Sequence, residues 1–146
     1  MATVDVSVTS DLSPRQAWAL ASDLNRFEEW MTIFGGWKSD VPADVQLGTQ
    51  VSSLIKVKGF RNVIHWEVTS FDLFKRLEMR GSGRGGVHIA LDMTITDKDP
   101  GSTFHLVATL SGGLLNGPVG SLVAKVIESD VRRSVENLAA LRPVTS

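Results

Sequence analysis

The chain has 146 residues, 42% of them hydrophobic and 21% charged, with a formal net charge of −1. This length suits a single domain over residues 1–146, and the near-zero charge argues against the basic surface that nucleic acids or anionic membranes require. Cysteine is absent, which excludes disulfides, thiolate chemistry and cysteine-based metal sites. We expect a cytoplasmic protein, because the start does not resemble a signal peptide and no apolar run approaches the roughly 18 residues of a membrane span.

The N-terminal part of the chain is typical of a strand followed by two short helices. Valine alternates with polar residues over residues 3–9, which is the period of a strand with one buried face. Ser13, Pro14 and Gln16 indicate a helix start, since serine caps, proline suits the first turn and glutamine completes a capping box. A second short helix is predicted over residues 25–31.

Six strand-like runs follow. In chain order they are residues 37–41, 51–57, 62–71, 74–81, 85–96 and 102–111. The longer runs alternate apolar and polar residues, which predicts a sheet with one buried face. Short turns between successive runs favour antiparallel pairing, so the predicted fold class is α+β.

A long amphipathic helix is predicted over residues 118–141, about 36 Å long at 1.5 Å per residue. Its apolar arc, plotted at 100° per residue, contains Val119, Leu122, Val123, Val126, Ile127, Val131, Leu138 and Leu141. A helix laid across a curved antiparallel sheet leaves a space between them. We expect that space to be a pocket for an apolar small molecule.

Four segments carry a family resemblance: SPRQAWALASDLNRFEEWM, KVKGFRNVIHW, GSGRGGV and GPVGSLVAKVIESDVRRSVENL. With the element order, they resemble the Bet v 1-like superfamily, also called START-like or SRPBCC, which includes polyketide cyclases/dehydratases and lipid-transfer domains. The resemblance implies a helix-grip fold, in which a curved antiparallel sheet of about seven strands wraps around a long C-terminal helix and encloses a cavity. The segments are also similar to an actinobacterial subgroup labelled as toxins of type II toxin–antitoxin pairs.

Two polar residues fall inside the apolar arc of the last helix, one turn apart. A carboxylate at Asp130 facing the core is costly unless it is paired or solvated. One interpretation is that Asp130 and Ser134 point into a ligand-filled or wet cavity and orient a polar group of the ligand. The other is that Asp130 pairs with an arginine or lies in water at the cavity mouth.

The expected pocket has apolar walls and a few placed polar groups, as small-molecule sites usually do. Its predicted lining is Trp30, Phe34, Ile55, Trp66, Met93, Leu106, Leu115 and Ile127, with Ser53, Asp130 and Ser134 as polar guides. The aromatic members of this set have a second interpretation, because they also suit the filling of a closed core. Trp18 is expected to belong to the core.

Neither a metal site nor a cofactor is expected. His65, His88 and His105 each have the opposite strand phase to their apolar neighbours, so they are predicted to face away from the pocket. The glycine-rich segment 81–86 lacks the GK[ST] ending of a phosphate loop and precedes a strand, which favours a turn.

Three functions stay open at this point. The preferred one is binding of a lipid or polyketide-like compound. The second is the toxin component of a type II toxin–antitoxin pair that acts by interaction, with a cognate antitoxin protein as its partner. The third is a cyclase or dehydratase in which Asp130 or an inward-lying Arg80 acts as the acid–base group or polarises a carbonyl. Catalysis ranks below binding because no carboxylate–histidine pair has clear geometry in the sequence.

Overall fold

The computed structural model describes residues 2–42, 45–57, 60–98, 101–112 and 118–141. Within these ranges the elements are β1 Ala2–Ser10, α1 Pro14–Ala21, α2 Phe27–Trp30, β2 Phe34–Trp37, β3 Gln50–Val57, β4 Phe60–Asp72, β5 Arg76–Gly83, β6 Val87–Lys98, β7 Gly101–Ser111 and α3 Pro118–Ala140. Short 3₁₀ turns at Leu24–Arg26 and Arg84–Gly86 precede α2 and β6. No helix in the described ranges has the length and hydropathy needed to cross a membrane.

The seven strands form one curled antiparallel sheet in the order β1-β7-β6-β5-β4-β3-β2. Strands β2 to β7 each pair with their neighbour in sequence, while β1 pairs with β7. Helix α3 packs against β1 and β7, and α2 packs against α3. The predicted α+β class and the helix-grip architecture are confirmed.

The core lies between the concave face of the sheet and the helices. Its β7 members alternate along the strand as the sequence predicted: Phe104, Leu106, Ala108 and Leu110 are all buried. Helix α3 contributes Ile127, Val131, Val135 and Leu138, which recur at helical spacing. Complete burial of one such large aliphatic side chain contributes roughly 1.5–3 kcal/mol.

The first helix begins as predicted. Ser13 Oγ accepts a hydrogen bond from the Gln16 amide at 3.2 Å, and the Ser13 amide donates to Gln16 Oε1 at 3.1 Å. Trp18 on this helix is buried, with its ring centroid 5.3 Å from that of Phe71. Its assignment to the core is confirmed.

Several strand boundaries differ from the prediction, and two of these differences have a local cause. The strand expected at residues 37–41 is wrong, because β2 ends where that run begins; Gly35 and Gly36 interrupt the strand pattern in the sequence. Strand β5 begins at Arg76 rather than at residue 74, since Phe74 lies in a turn with a φ of 67°. Only the second half of the glycine-rich segment is a turn: residues 81–83 belong to β5, and Arg84–Gly86 form a 3₁₀ turn with Gly85 at a φ of 79°.

Candidate ligand-binding site

The floor of the site is a buried hydrogen bond between adjacent strands. Trp66 on β4 donates from Nε1 to Ser53 Oγ on β3 at 2.9 Å, and the two residues are only 5% and 1% exposed. Gly81 on β5 pairs with Trp66, and a Cβ atom there would lie 2.7 Å from Trp66 Cε3. The glycine therefore makes room for the indole ring on the concave face.

One wall of the site consists of four aromatic residues from α2 and β2, which we call the aromatic wall: Phe27, Trp30, Phe34 and Trp37. The ring centroid of Phe27 lies 5.1 Å from that of Trp30 and 5.5 Å from that of Trp37. Trp37 Nε1 donates to the Leu24 carbonyl at 2.9 Å, which satisfies its polar atom. Ring contacts such as the edge-on contact of Phe27 with Trp30 hold the wall together.

A narrow cavity of about 10 Å³ separates the floor from the wall. Its lining residues are Phe27, Met31, Phe34, Trp37, Ser53, Ile55, Trp66, Met79 and Leu91. The structure thus brings together four predicted site residues from three strands: Phe34, Ser53, Ile55 and Trp66. The volume is that of about one water molecule, so the side chains themselves fill most of this space.

Trp30 is buried in the aromatic wall, yet its polar atom is unsatisfied. The residue is 4% exposed, and its Nε1 has no hydrogen-bond partner. It is the one buried side-chain nitrogen or oxygen in this condition among the residues that the structure describes. A buried donor left without an acceptor costs roughly 1–3 kcal/mol.

Ser134 joins α3 to the segment that follows α2. Its hydroxyl accepts from the Thr32 amide at 2.9 Å and lies 2.8 Å from the Asp130 carbonyl oxygen, to which it donates. Thr32 Oγ1 also donates to that carbonyl at 3.2 Å. We call these contacts the Thr32–Ser134 clamp. The Ser134 hydroxyl already forms these hydrogen bonds within the protein. Its role in guiding a ligand stays a prediction.

Comparison with known proteins identifies the family. Residues 1–141 match the family described as polyketide cyclase / dehydrase and lipid transport. The chain belongs to that family.

Relatives of this chain occur in Mycobacterium tuberculosis. "Toxin Rv0910" is 36% identical over 141 residues, which cover 97% of this chain and 98% of the relative. "Uncharacterized protein Rv1546" is 34% identical over 141 residues, with coverage of 97% and 99%. The superfamily predicted from the sequence, with its toxin-labelled subgroup, is confirmed.

A solved structure shows the same fold at low sequence identity. TTHA0849 from Thermus thermophilus superimposes with a TM-score of 0.78 at 16% identity, covering 94% of each chain. This likeness concerns the fold alone.

Three more of the predicted lining residues are buried beside the site. Met93 on β6 lies opposite Leu106 on β7, and Ile127 lies on the inner side of α3. None of them borders the described cavity. Leu115 falls outside the described residues. Contact of these four with a ligand stays a prediction.

The two catalytic candidates of this cyclase-family protein differ in position. Asp130 is half-buried, and its carboxylate forms no ion pair with the described residues. The inward orientation expected for Arg80 is wrong: its side chain is 67% exposed and lies 3.5 Å from Glu78. Since Leu77 and Met79 face the core, strand alternation turns Arg80 outward. An acid–base role for Asp130 stays a prediction.

The histidines lie on the outer face of the sheet, as predicted. His65 Nδ1 lies 2.8 Å from Ser52 Oγ, His105 Nε2 lies 2.7 Å from Asp5, and His88 is exposed. Within the described ranges, no three histidine or acidic side chains come close enough to hold a metal ion.

Proposed function

We propose that this protein binds a hydrophobic small molecule, such as a lipid or a polyketide-like compound, between the concave face of the sheet and the aromatic wall. The observation that carries the proposal is the composition of the cavity lining, in which Ser53 is the single hydroxyl among nine residues. Apolar walls with few polar groups are typical of small-molecule sites. The family description, which includes lipid transport, supports the same function.

Binding requires the site to open. Ligand pockets of drug-sized compounds have volumes of roughly 300–1,000 Å³, whereas the described cavity has about 10 Å³. The element best suited to move is α2, because it has only four residues. Met31 and Met79 add adaptable walls, since an unbranched thioether side chain repacks at little cost.

The first experiment compares native and denaturing mass spectra of freshly purified protein. A bound compound adds mass in the native spectrum and is released on denaturation, where it can be identified. In parallel, the protein is titrated with N-phenyl-1-naphthylamine, a neutral apolar probe whose fluorescence rises in apolar surroundings.

A matched pair of variants tests where the probe binds. Ile55 lines the cavity, and Lys56 is exposed on the next position of the same strand. We expect Ile55→Trp to fill the site and weaken probe binding at least about tenfold, which is 1.4 kcal/mol. Lys56→Trp adds the same indole on the outer face and keeps the affinity of the unmodified protein. Equal binding by both variants contradicts this location for the site.

A second candidate function is a toxin acting through a protein partner, and the identity with "Toxin Rv0910" favours it. This function predicts that induced expression slows growth and that coexpression of a neighbouring antitoxin gene restores it. Expression of Ile55→Trp separates the two functions. A toxin that acts without a ligand slows growth equally as the unmodified protein and as the Ile55→Trp variant. Normal growth at a verified protein level contradicts the toxin function.

A further inference from the structure

The indole N–H of Trp30 differs from those of its two neighbours on the site. Trp37 donates to the Leu24 carbonyl and Trp66 donates to Ser53, whereas Trp30 Nε1 has no partner. Trp30 is only 4% exposed. Its ring packs edge-on against Phe27, and Phe27 lines the cavity. Buried donors without acceptors are rare in folded proteins, so this one calls for an explanation.

Ser53 is the second polar group that can donate a further hydrogen bond. Its oxygen accepts the hydrogen bond from Trp66. A hydroxyl also has a proton to donate, and its one hydrogen bond with the described residues is the one that it accepts from Trp66. Both groups are hydrogen-bond donors, the Ser53 hydroxyl in the lining of the cavity and the Trp30 indole in the aromatic wall behind Phe27.

The other buried polar side chains among the described residues already donate hydrogen bonds within the protein. They are Ser102, which donates to the Leu12 carbonyl, and Ser134, which belongs to the clamp. No lysine or arginine is buried among the described residues. A ligand carboxylate would thus lose its hydration without gaining a counter-charge, which is strongly unfavourable.

We propose that the ligand is an uncharged compound with a carbonyl or ester oxygen, and that Trp30 Nε1 donates a hydrogen bond to that oxygen. This inference rests on the proposed function and adds the chemical class of the ligand. The hydrogen bond relieves the unsatisfied donor of the free protein, so it favours acceptor-bearing compounds over hydrocarbons of equal size.

The test uses three naphthalenes of similar size: 2-acetylnaphthalene, which has a ketone oxygen, 2-isopropylnaphthalene, which has none, and 2-naphthoate, which is charged. We expect the ketone to bind about tenfold more tightly than the hydrocarbon, and naphthoate to bind most weakly at pH 7. In Trp30→Phe, which keeps the aromatic ring, the ketone should lose its advantage. Trp18→Phe, a buried tryptophan in the core outside the site, should keep it.

Nuclear magnetic resonance gives a reading that does not depend on the folding of a variant. In ¹⁵N-labelled protein, the Trp30 indole signal, assigned through its contacts with Phe27, should move downfield with the ketone and less with the hydrocarbon. Failure of all three probes to bind contradicts the proposed function itself. Equal binding of ketone and hydrocarbon, tightest binding of naphthoate, or a ketone advantage retained in Trp30→Phe overturns this inference while leaving a binding function in place.

Discussion

Trp66 and Ser53 form a hydrogen bond of 2.9 Å inside the protein, joining β4 to β3 on the concave face of the sheet. They are diagonal neighbours, since Trp66 pairs with Val51 and Ser53 with Ile64. Both also line the cavity. The bond satisfies the buried indole donor and fixes the shape of the floor.

Removal of this hydrogen bond should destabilise the protein. Ser53→Ala leaves Trp66 Nε1 as a buried donor without an acceptor, so we expect the free energy of unfolding to fall by about 1–3 kcal/mol. Urea unfolding followed by circular dichroism measures the change. The single variant Trp66→Phe should lose more stability than Ser53→Ala, because it removes both the hydrogen bond and part of a buried ring.

Two controls test the cause. Ser52→Ala removes the next hydroxyl on the strand, which contacts His65 on the outer face, and should change stability by no more than about 0.5 kcal/mol. The double variant with Ser53→Ala and Trp66→Phe should lose less than the sum of the single changes, since the unsatisfied donor is gone. Strict additivity would show that the two side chains do not stabilise one another.

Gly81→Ala should disturb the same floor from the neighbouring strand. The new Cβ would lie 2.4 Å from Ile64 Cγ2 and 2.7 Å from Trp66 Cε3, so both side chains or the backbone of β5 must shift. Overpacking of this kind costs about 1–3 kcal/mol, and thermal unfolding should show a lower Tm. Ser82→Ala, at the exposed next position, is the matched control. A Gly81→Ala protein with unchanged Tm and unchanged near-ultraviolet circular dichroism would contradict the packing argument.

Alternation along the strands made most of the sheet predictable. In β7 every second residue from Ser102 to Leu110 is buried, and in β6 the buried Met93 and Ile95 alternate with less buried residues, so both strands follow from the sequence. The start of α1 could also be predicted, because the capping box joins residues only three positions apart, Ser13 and Gln16. The segment around Gly35 and Gly36 was not, since a four-residue strand with two glycines has no alternation to detect.

Part of the lining of the candidate cavity could be predicted from the sequence, but its hydrogen bonds could not. Strand phase alone placed Ser53 and Trp66 on the inner face, yet their mutual contact depends on register and on the missing side chain of Gly81. Ser134 contacts Thr32 across 102 positions of sequence, which no local pattern encodes. Arg80 was misplaced, because Leu77 and Met79 occupy the inward positions of β5 and alternation leaves Arg80 on the outer face.

The ion pair between Arg26 at the start of α2 and Glu29 within it should respond to acid. Arg26 Nε lies 2.7 Å from Glu29, and this hydrogen bond lowers the pKa of Glu29 below its ordinary value of 4.5. A lowered pKa in the folded state stabilises the protein above the unfolded value, and that contribution is lost as the pH falls through the folded pKa. We expect the carboxyl signal of Glu29 to titrate below 4.5 in a ¹³C titration. In Arg26→Gln its pKa should rise, and high salt should reduce the difference between the two proteins.

The Thr32–Ser134 clamp should control how readily the aromatic wall moves. Ser134→Ala removes the acceptor of the Thr32 amide and the contact that ties this segment to α3. We expect a stability loss of about 0.5–1.5 kcal/mol and faster hydrogen exchange at the Thr32 amide. Because α2 and β2 form the wall, N-phenyl-1-naphthylamine should also associate faster in stopped-flow measurements. Arg133→Ala, an exposed neighbour on α3, should change neither rate. If Ser134→Ala raises the exchange rate but not the association rate, the ligand reaches the site without movement of this wall.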